Sequence, residues 1–128
     1  MKSHGVIHPG LARALAELGH TDEVLICDAG FPIPHGVRRI DLAYRLGAPG
    51  FADVVEAIVS DIVVEATVVA DETTPELTEW LMTTTRAEKI VRIPHEVLKE
   101  RARSSKIAVR SGESTPYSNV ILVAGVAF

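Results

Sequence analysis

The chain has 128 residues, 47% of them hydrophobic, and a formal net charge of −4. This length suits one domain spanning residues 1–128, with a core built mostly of Val, Ile, Leu and Ala. The absence of a basic run argues against nucleic-acid binding, and the single cysteine, Cys27, excludes an internal disulfide and a cysteine-based zinc cluster.

The amino-terminal segment lacks the apolar core of a signal peptide, and no apolar run is long enough to cross a bilayer. We therefore expect a soluble cytoplasmic protein with no membrane partner. Residues 9–18 predict a first helix, because Pro9 suits the first helical position and the apolar residues fall on one stripe. Gly19 is placed to end this helix as a C-cap.

A short apolar strand follows at residues 23–27 and is flanked by polar residues. His20, Thr21 and Asp22 come just before it, and Asp28 comes at its carboxyl end. Ligands of open α/β sheets bind outside the carboxyl ends of the strands. We therefore expect a functional site around this strand, with Cys27 itself as a small buried hydrophobe.

The rest of the chain alternates between helical and extended patterns. Helices are predicted over 51–62, from 74 through 82 and from 94 through 103, and strands over 37–42, 63–70, 89–93, 107–110 and 120–124. This alternation predicts a single α/β domain with three α/β/α layers around a mostly parallel, mixed sheet of about six strands. The last strand is so apolar that we expect it to be tied into the sheet or into a neighbouring subunit.

His20 is the strongest candidate for chemistry, because an ordinary imidazole can exchange a proton in both directions near neutral pH. A capping or core histidine is the alternative. A metal site formed with Asp22 is disfavoured, because two ligands do not make a site and the other histidines do not complete one. No metal is therefore expected.

The other candidates are binding residues, and each has a plainer structural alternative. Asp28 can accept hydrogen bonds from ligand hydroxyls or simply start an Asx turn. His95 opens a helix and can bind a hydroxyl or be a surface residue, and Lys99 lies one turn further along the same face. Tyr117 can pack its ring on a ligand and donate a hydrogen bond, and Asn119 can donate and accept hydrogen bonds; the alternative is an ordinary turn.

The quoted residues resemble a known family. Gly19-His20-Thr21-Asp22, residues 27–34 (Cys-Asp-Ala-Gly-Phe-Pro-Ile-Pro), residues 39–42, residues 110–119 and the ending at 124–126 look like the D-ribose pyranase family of sugar mutarotases. The resemblance runs from one end of the chain to the other. His8 stands where family members often have asparagine, which questions the cap of the first helix, and His35 matches no motif position and receives no role.

The resemblance implies a function and a role for each candidate. His20 would be the catalytic acid/base, and the sugar would be bound by Asp28, His95, Tyr117, Asn119 and, less firmly, Lys99. The implied reaction converts β-D-ribopyranose to β-D-ribofuranose without a cofactor. An L-fucose mutarotase and a non-catalytic sugar-binding module are the alternatives, and His95 favours ribose over fucose.

The resemblance also implies an assembly. We expect a closed homo-oligomeric ring, an octamer or a decamer, with sites between subunits. In that expectation His20 and Asp28 come from one subunit, and His95, Tyr117 and Asn119 complete the pocket from the next.

Overall fold

All 128 residues are described by a computed structural model. Its elements are α1 (Pro9–Ala16), β1 (Glu23–Cys27), β2 (Arg38–Asp41), α2 (Phe51–Val59), β3 (Val64–Ala70), α3 (Pro75–Thr85), β4 (Lys89–Ile93), α4 (His95–Arg101) with a 3₁₀ turn (Ala102–Ser104), β5 (Ile107–Arg110) and β6 (Val120–Ala124). None of the helices is both long and apolar enough to cross a lipid bilayer.

The six strands form one mixed sheet in the order β2-β5-β1-β6-β3-β4. The pairs β2·β5, β5·β1 and β3·β4 are parallel, whereas β6 is antiparallel to both of its neighbours, β1 and β3. Five strands therefore end at one edge of the sheet, which we call the carboxyl edge, and β6 starts there. The opposite edge, which we call the amino edge, holds the starts of those five strands and the end of β6.

The sheet is covered on both faces, as the alternating pattern predicts. On one face α1, α2 and α3 pack against inward-pointing residues such as Val24, Ile26 and Leu122. On the other face α4 and the segment containing Phe31 pack against Leu25, Cys27 and Ile121. The predicted three-layer fold is confirmed, and β6 is held at the centre of the sheet and not left to fray at the end of the chain.

Several helix ends differ from the predictions. The helix α2 stops at Val59 and not at 62, and α4 stops at Arg101, where the 3₁₀ turn continues to Ser104. The helix α1 stops at Ala16 with Glu17 as its C-cap, so the expectation of an end at 18 capped by Gly19 is wrong. Gly19 instead donates its N–H to the Asp22 carboxylate, which draws it into the following turn. The helix α3 runs to Thr85, three residues beyond the prediction, and ends on Arg86 in the left-handed region at φ 52°.

The start of α1 is capped despite its unusual residue. The Nδ1 atom of His8 accepts a hydrogen bond from the N–H of Leu11 at 3.1 Å, and Pro9 occupies the first turn. An imidazole nitrogen thus does what an asparagine side-chain oxygen does at an N-cap. His8, which stands where family members often have asparagine, therefore still caps the helix.

Candidate functional site

Four of the predicted site residues lie together at the carboxyl edge. Asp28 follows β1, His95 opens α4 after β4, and Tyr117 and Asn119 precede β6. The ends of β1 and β4 and the start of β6 meet at this edge because β6 runs antiparallel to the other five strands. We call these four residues the Asp28 cluster.

Asp28 and Asn119 are joined by two hydrogen bonds. The Asn119 Nδ2 donates to Asp28 Oδ2 at 3.1 Å, and its Oδ1 accepts from the Asp28 N–H at 2.9 Å. Asn119 is buried, so both ends of its amide are fixed. The other carboxylate oxygen of Asp28 accepts from the N–H of Gly30 at 3.0 Å, which is the expected Asx turn. Asp28 is therefore oriented from both sides.

His95 is wedged between two aromatic rings at the same edge. Its ring centroid lies 5.2 Å from that of Tyr117 and 5.9 Å from that of Phe31, and both pairs are edge-to-face. Its backbone N–H donates to the Glu72 carboxylate at 3.1 Å, which anchors the start of α4. The Nδ1 atom is buried and has no hydrogen-bond partner. Since buried polar atoms are nearly always paired, this nitrogen is a candidate contact for a ligand hydroxyl.

Tyr117 is held by its backbone and leaves its side chain available. It adopts a left-handed conformation at φ 61°, which is uncommon for a residue with a side chain. Its carbonyl accepts a hydrogen bond from Thr73 Oγ1 at 3.1 Å. The residue remains 40% exposed, so its ring and hydroxyl can meet a ligand. A strained backbone that is fixed in this way is common at ligand sites.

Lys99 is the weakest member of the predicted set. Its Nζ lies 2.7 Å from Glu96 Oε1 on the same helix, and the lysine side chain is 30% exposed. The ammonium is thus occupied by a neighbour one turn away and not by the Asp28 cluster.

His20 lies at the other end of the sheet. It comes before β1, in a turn whose Thr21 N–H donates to the carbonyl of Ala124 at the end of β6. The five residues of β1 separate the amino and carboxyl edges by roughly 16 Å at ~3.3 Å per residue. The expectation that His20 and Asp28 form one half of a pocket is therefore wrong, because Asp28 belongs with Asn119.

His20 has a partner that the sequence did not reveal. Its Nε2 lies 2.6 Å from Glu65 Oε2, and both side chains are about half exposed, at 52% and 46%. Glu65 is 45 residues away in the chain and sits between apolar residues of β3. No local motif marks it, so only the strand pairing could find it.

The thiol of Cys27 is unreactive although Cys27 precedes Asp28 in the chain. It is fully buried and unpaired, as the sequence predicted. Burial, helped by the negative charge of Asp28, raises the pKa of the thiol to about 12. No group of three or more His, Cys, Asp or Glu side chains is arranged to hold a metal ion.

Comparison with known proteins places the chain in a family. Residues 1–127 match the RbsD / FucU transport protein family. The D-ribose pyranase 1 of Rubrobacter xylanophilus is 49% identical over the full length of both chains. The solved structure of Bacillus subtilis RbsD complexed with D-ribose is 39% identical and superposes over all of both chains with a TM-score of 0.93. The chain belongs to the RbsD / FucU family.

A fucose-binding protein shares the fold at greater distance. The structure of the fucose mutarotase from Streptococcus pneumoniae in complex with L-fucose is 21% identical, covers 95% of each chain and has a TM-score of 0.76. This likeness extends to the fold alone.

Proposed function

We propose that this protein is a D-ribose pyranase, which interconverts β-D-ribopyranose and β-D-ribofuranose. The observation that carries the proposal is the Asp28 cluster, a set of oriented hydroxyl-binding groups in a chain of this family. Full-length relatives named D-ribose pyranase and the ribose complex of a 39% identical protein support ribose as the sugar. The fucose alternative is supported by a more distant relative, the 21% identical fucose mutarotase.

The chemistry needs a proton shuttle and positioning groups. Opening the hemiacetal ring takes a proton from the anomeric hydroxyl and delivers one to the ring oxygen. The open-chain aldehyde then recloses through a different hydroxyl. His20 supplies the shuttle, and Asp28, Asn119, His95 and Tyr117 hold the hydroxyls. One positioned acid/base contributes about 10²–10⁴-fold to such a step.

His20 reaches this sugar from another subunit in our proposal. Within one chain it lies at the amino edge, about the length of a strand from the Asp28 cluster. A ring in which the amino edge of one subunit faces the carboxyl edge of the next would bring the two halves together. The exposed apolar residues Val126 and Phe128, beside the amino edge, are available for such contacts. A monomeric mass by light scattering at micromolar concentration would rule this assembly out.

Saturation-transfer NMR on equilibrating D-ribose tests the activity. The wild-type protein should accelerate pyranose–furanose exchange, and His20→Ala should lower that acceleration by about 10²–10⁴-fold while ribose still binds. Exchange unchanged by the wild-type protein, with ribose bound, would identify a non-catalytic sugar-binding module. A cytoplasmic location remains a prediction.

A further inference from the structure

Glu65 owes its position facing His20 to an irregularity in β3. Along the β3·β6 pair, Val64 is opposite Ala124 and Ala66 is opposite Val123, so Glu65 is an extra residue in the ladder. Such a bulge re-aims a side chain and is over-represented next to active sites. Here the bulge directs the Glu65 side chain, whose carboxylate hydrogen-bonds to His20.

The end of β6 makes room for this arrangement. Gly125 donates its N–H to the carbonyl of Val63 at 2.9 Å, which holds the bulge against the chain end. A Cβ on Gly125 would lie 3.1 Å from a methyl group of Val63 and 3.4 Å from the Cβ of Glu65. A larger residue would therefore push β3 away from the turn that carries His20.

The backbone beside His20 is strained and tied to the same strand end. Thr21, a β-branched residue, has φ 69°, in a region that such residues rarely adopt. Its N–H donates to Ala124 at 2.8 Å, and the N–H of Ala124 donates back to Asp22 at 2.9 Å. An exposed ion pair contributes little to stability, so stability alone does not explain a bulge and a strained residue that converge on one contact.

We propose that Glu65 is a positioning residue that fixes the tautomer and orientation of His20. A carboxylate can only accept hydrogen bonds, so the Nε2 atom of His20 carries a hydrogen and Nδ1 keeps its lone pair. The Nδ1 atom makes no hydrogen bond within the chain and is free for the sugar. Resting on the proposed function, this assigns the shuttle to Nδ1, which takes the anomeric proton and returns it to the ring oxygen while Nε2–H stays bonded to Glu65.

The test combines kinetics with the NMR signature of His20. In Glu65→Ala, exchange at saturating D-ribose should fall at least about tenfold, since loss of the carboxylate behind a catalytic histidine costs up to ~10⁴-fold in kcat in the serine proteases. Ribose binding should change less than about twofold, because Glu65 does not touch the Asp28 cluster. The ¹⁵N spectrum of the wild type should show His20 as the Nε2–H tautomer. Its signal can be identified by its loss in His20→Ala.

A double variant and a charge control sharpen the result. His20→Ala combined with Glu65→Ala should be no slower than His20→Ala alone, because Glu65 acts through that ring. Glu88→Gln removes an exposed charge just before β4 at the same edge and should leave exchange unchanged.

Two outcomes would overturn the assignment. One is full exchange by Glu65→Ala in a protein that His20→Ala inactivates. The other is an Nδ1–H tautomer of His20 in the wild type. Failure of the proposed function gives a different result, because the wild-type protein itself would not accelerate exchange. The assignment of Glu65 would then fail as well.

Discussion

The buried side-chain amide of Asn119 forms both of its hydrogen bonds with one residue, Asp28. Both of its polar ends bond to Asp28, one to the carboxylate and one to the backbone N–H. Because this geometry fixes the carboxylate, the orientation of Asp28 depends on a residue that follows it by 91 positions in the chain. Asp28 could be predicted as a site residue from its place after β1, and Asn119 could be named as one only through the family motif. The hydrogen bonds between them within one chain were not predicted, because they depend on the pairing of β1 with β6.

Replacing Asn119 with Ala should weaken ribose binding and stability together. The variant leaves the Asp28 N–H without a partner, which costs about 1–3 kcal/mol of unfolding free energy. Ribose affinity should fall roughly tenfold, equivalent to ~1.4 kcal/mol. A binding titration and urea unfolding measure the two effects. Ser114→Ala, an exposed change in the same loop, is the control, and wild-type affinity in Asn119→Ala would contradict the role given to Asn119.

The turn from Gly19 to Asp22 is a small element that holds His20 in place. The Asp22 carboxylate accepts bonds from the N–H of Gly19 and from Lys106 Nζ, both at 2.7 Å. Lys106 also donates to the carbonyl of Glu17 at 2.6 Å and so ties the end of α1 to the turn. The bond from Lys106, followed by that from Gly19, lowers the pKa of Asp22 below its ordinary value of 3.8.

This shift makes the stability of the turn depend on pH. A depressed carboxyl pKa stabilises the fold above the unfolded value, and the contribution is lost as the pH falls through the folded value. Asp22→Asn should therefore lower the free energy of unfolding at pH 7 by about 1 kcal/mol or less, since the pair is partly exposed. The difference from wild type should shrink as the pH falls below the ordinary value of 3.8 and vanish once the carboxyl is protonated in the folded protein as well.

Thermal unfolding at several pH values measures this dependence. Glu79→Gln, an exposed change on α3 with no ion pair, should show no such convergence at low pH. A difference between Asp22→Asn and wild type that stays constant from pH 7 to pH 2 would show that the carboxylate charge is not what stabilises the turn.

The elements themselves were largely predictable, and their ends were not. Apolar patterns, which burial on one or both faces imposes, together with proline and capping residues at helix starts, located every helix and strand. The end of α1 was missed because Gly19 fits a C-cap equally well by type, and the competing bond from its N–H to Asp22 depends on a turn that the pattern does not encode. The bulge at Glu65 was missed because it follows from pairing with a distant strand.

At the scale of the whole molecule, nearness in sequence was misleading. His20 and Asp28 are eight positions apart, yet a strand places them at opposite edges of the sheet. His95, Tyr117 and Asn119 are far from Asp28 in sequence and lie with it at one edge. Local patterns identified candidate residues, whereas the antiparallel insertion of β6 decides which of them can share a pocket.

The reaction should be independent of metal ions. The proposed proton transfers need only His20 and the sugar hydroxyls, and the residues offer no three-ligand cluster. We expect exchange to survive prolonged treatment with a chelator. Loss of activity that zinc or manganese restores, while magnesium does not, would show that the acid/base account is wrong.

Mixed assemblies test most directly the central claim, that His20 of one subunit acts on sugar held by the Asp28 cluster of another. His20→Ala and Asn119→Ala subunits are each defective, but each carries the half that the other lacks. When they are unfolded together and refolded at equal amounts, about a quarter of the sites should combine two intact halves by random pairing across a heterologous interface. At subsaturating ribose, pyranose–furanose exchange should then recover to about that fraction of wild type. This exceeds His20→Ala refolded alone, which stays nearly inactive, and Asn119→Ala refolded alone, which keeps about a tenth of the wild-type rate because it binds ribose roughly tenfold more weakly. No recovery in a mixture that has refolded to the wild-type mass would contradict a site shared between subunits.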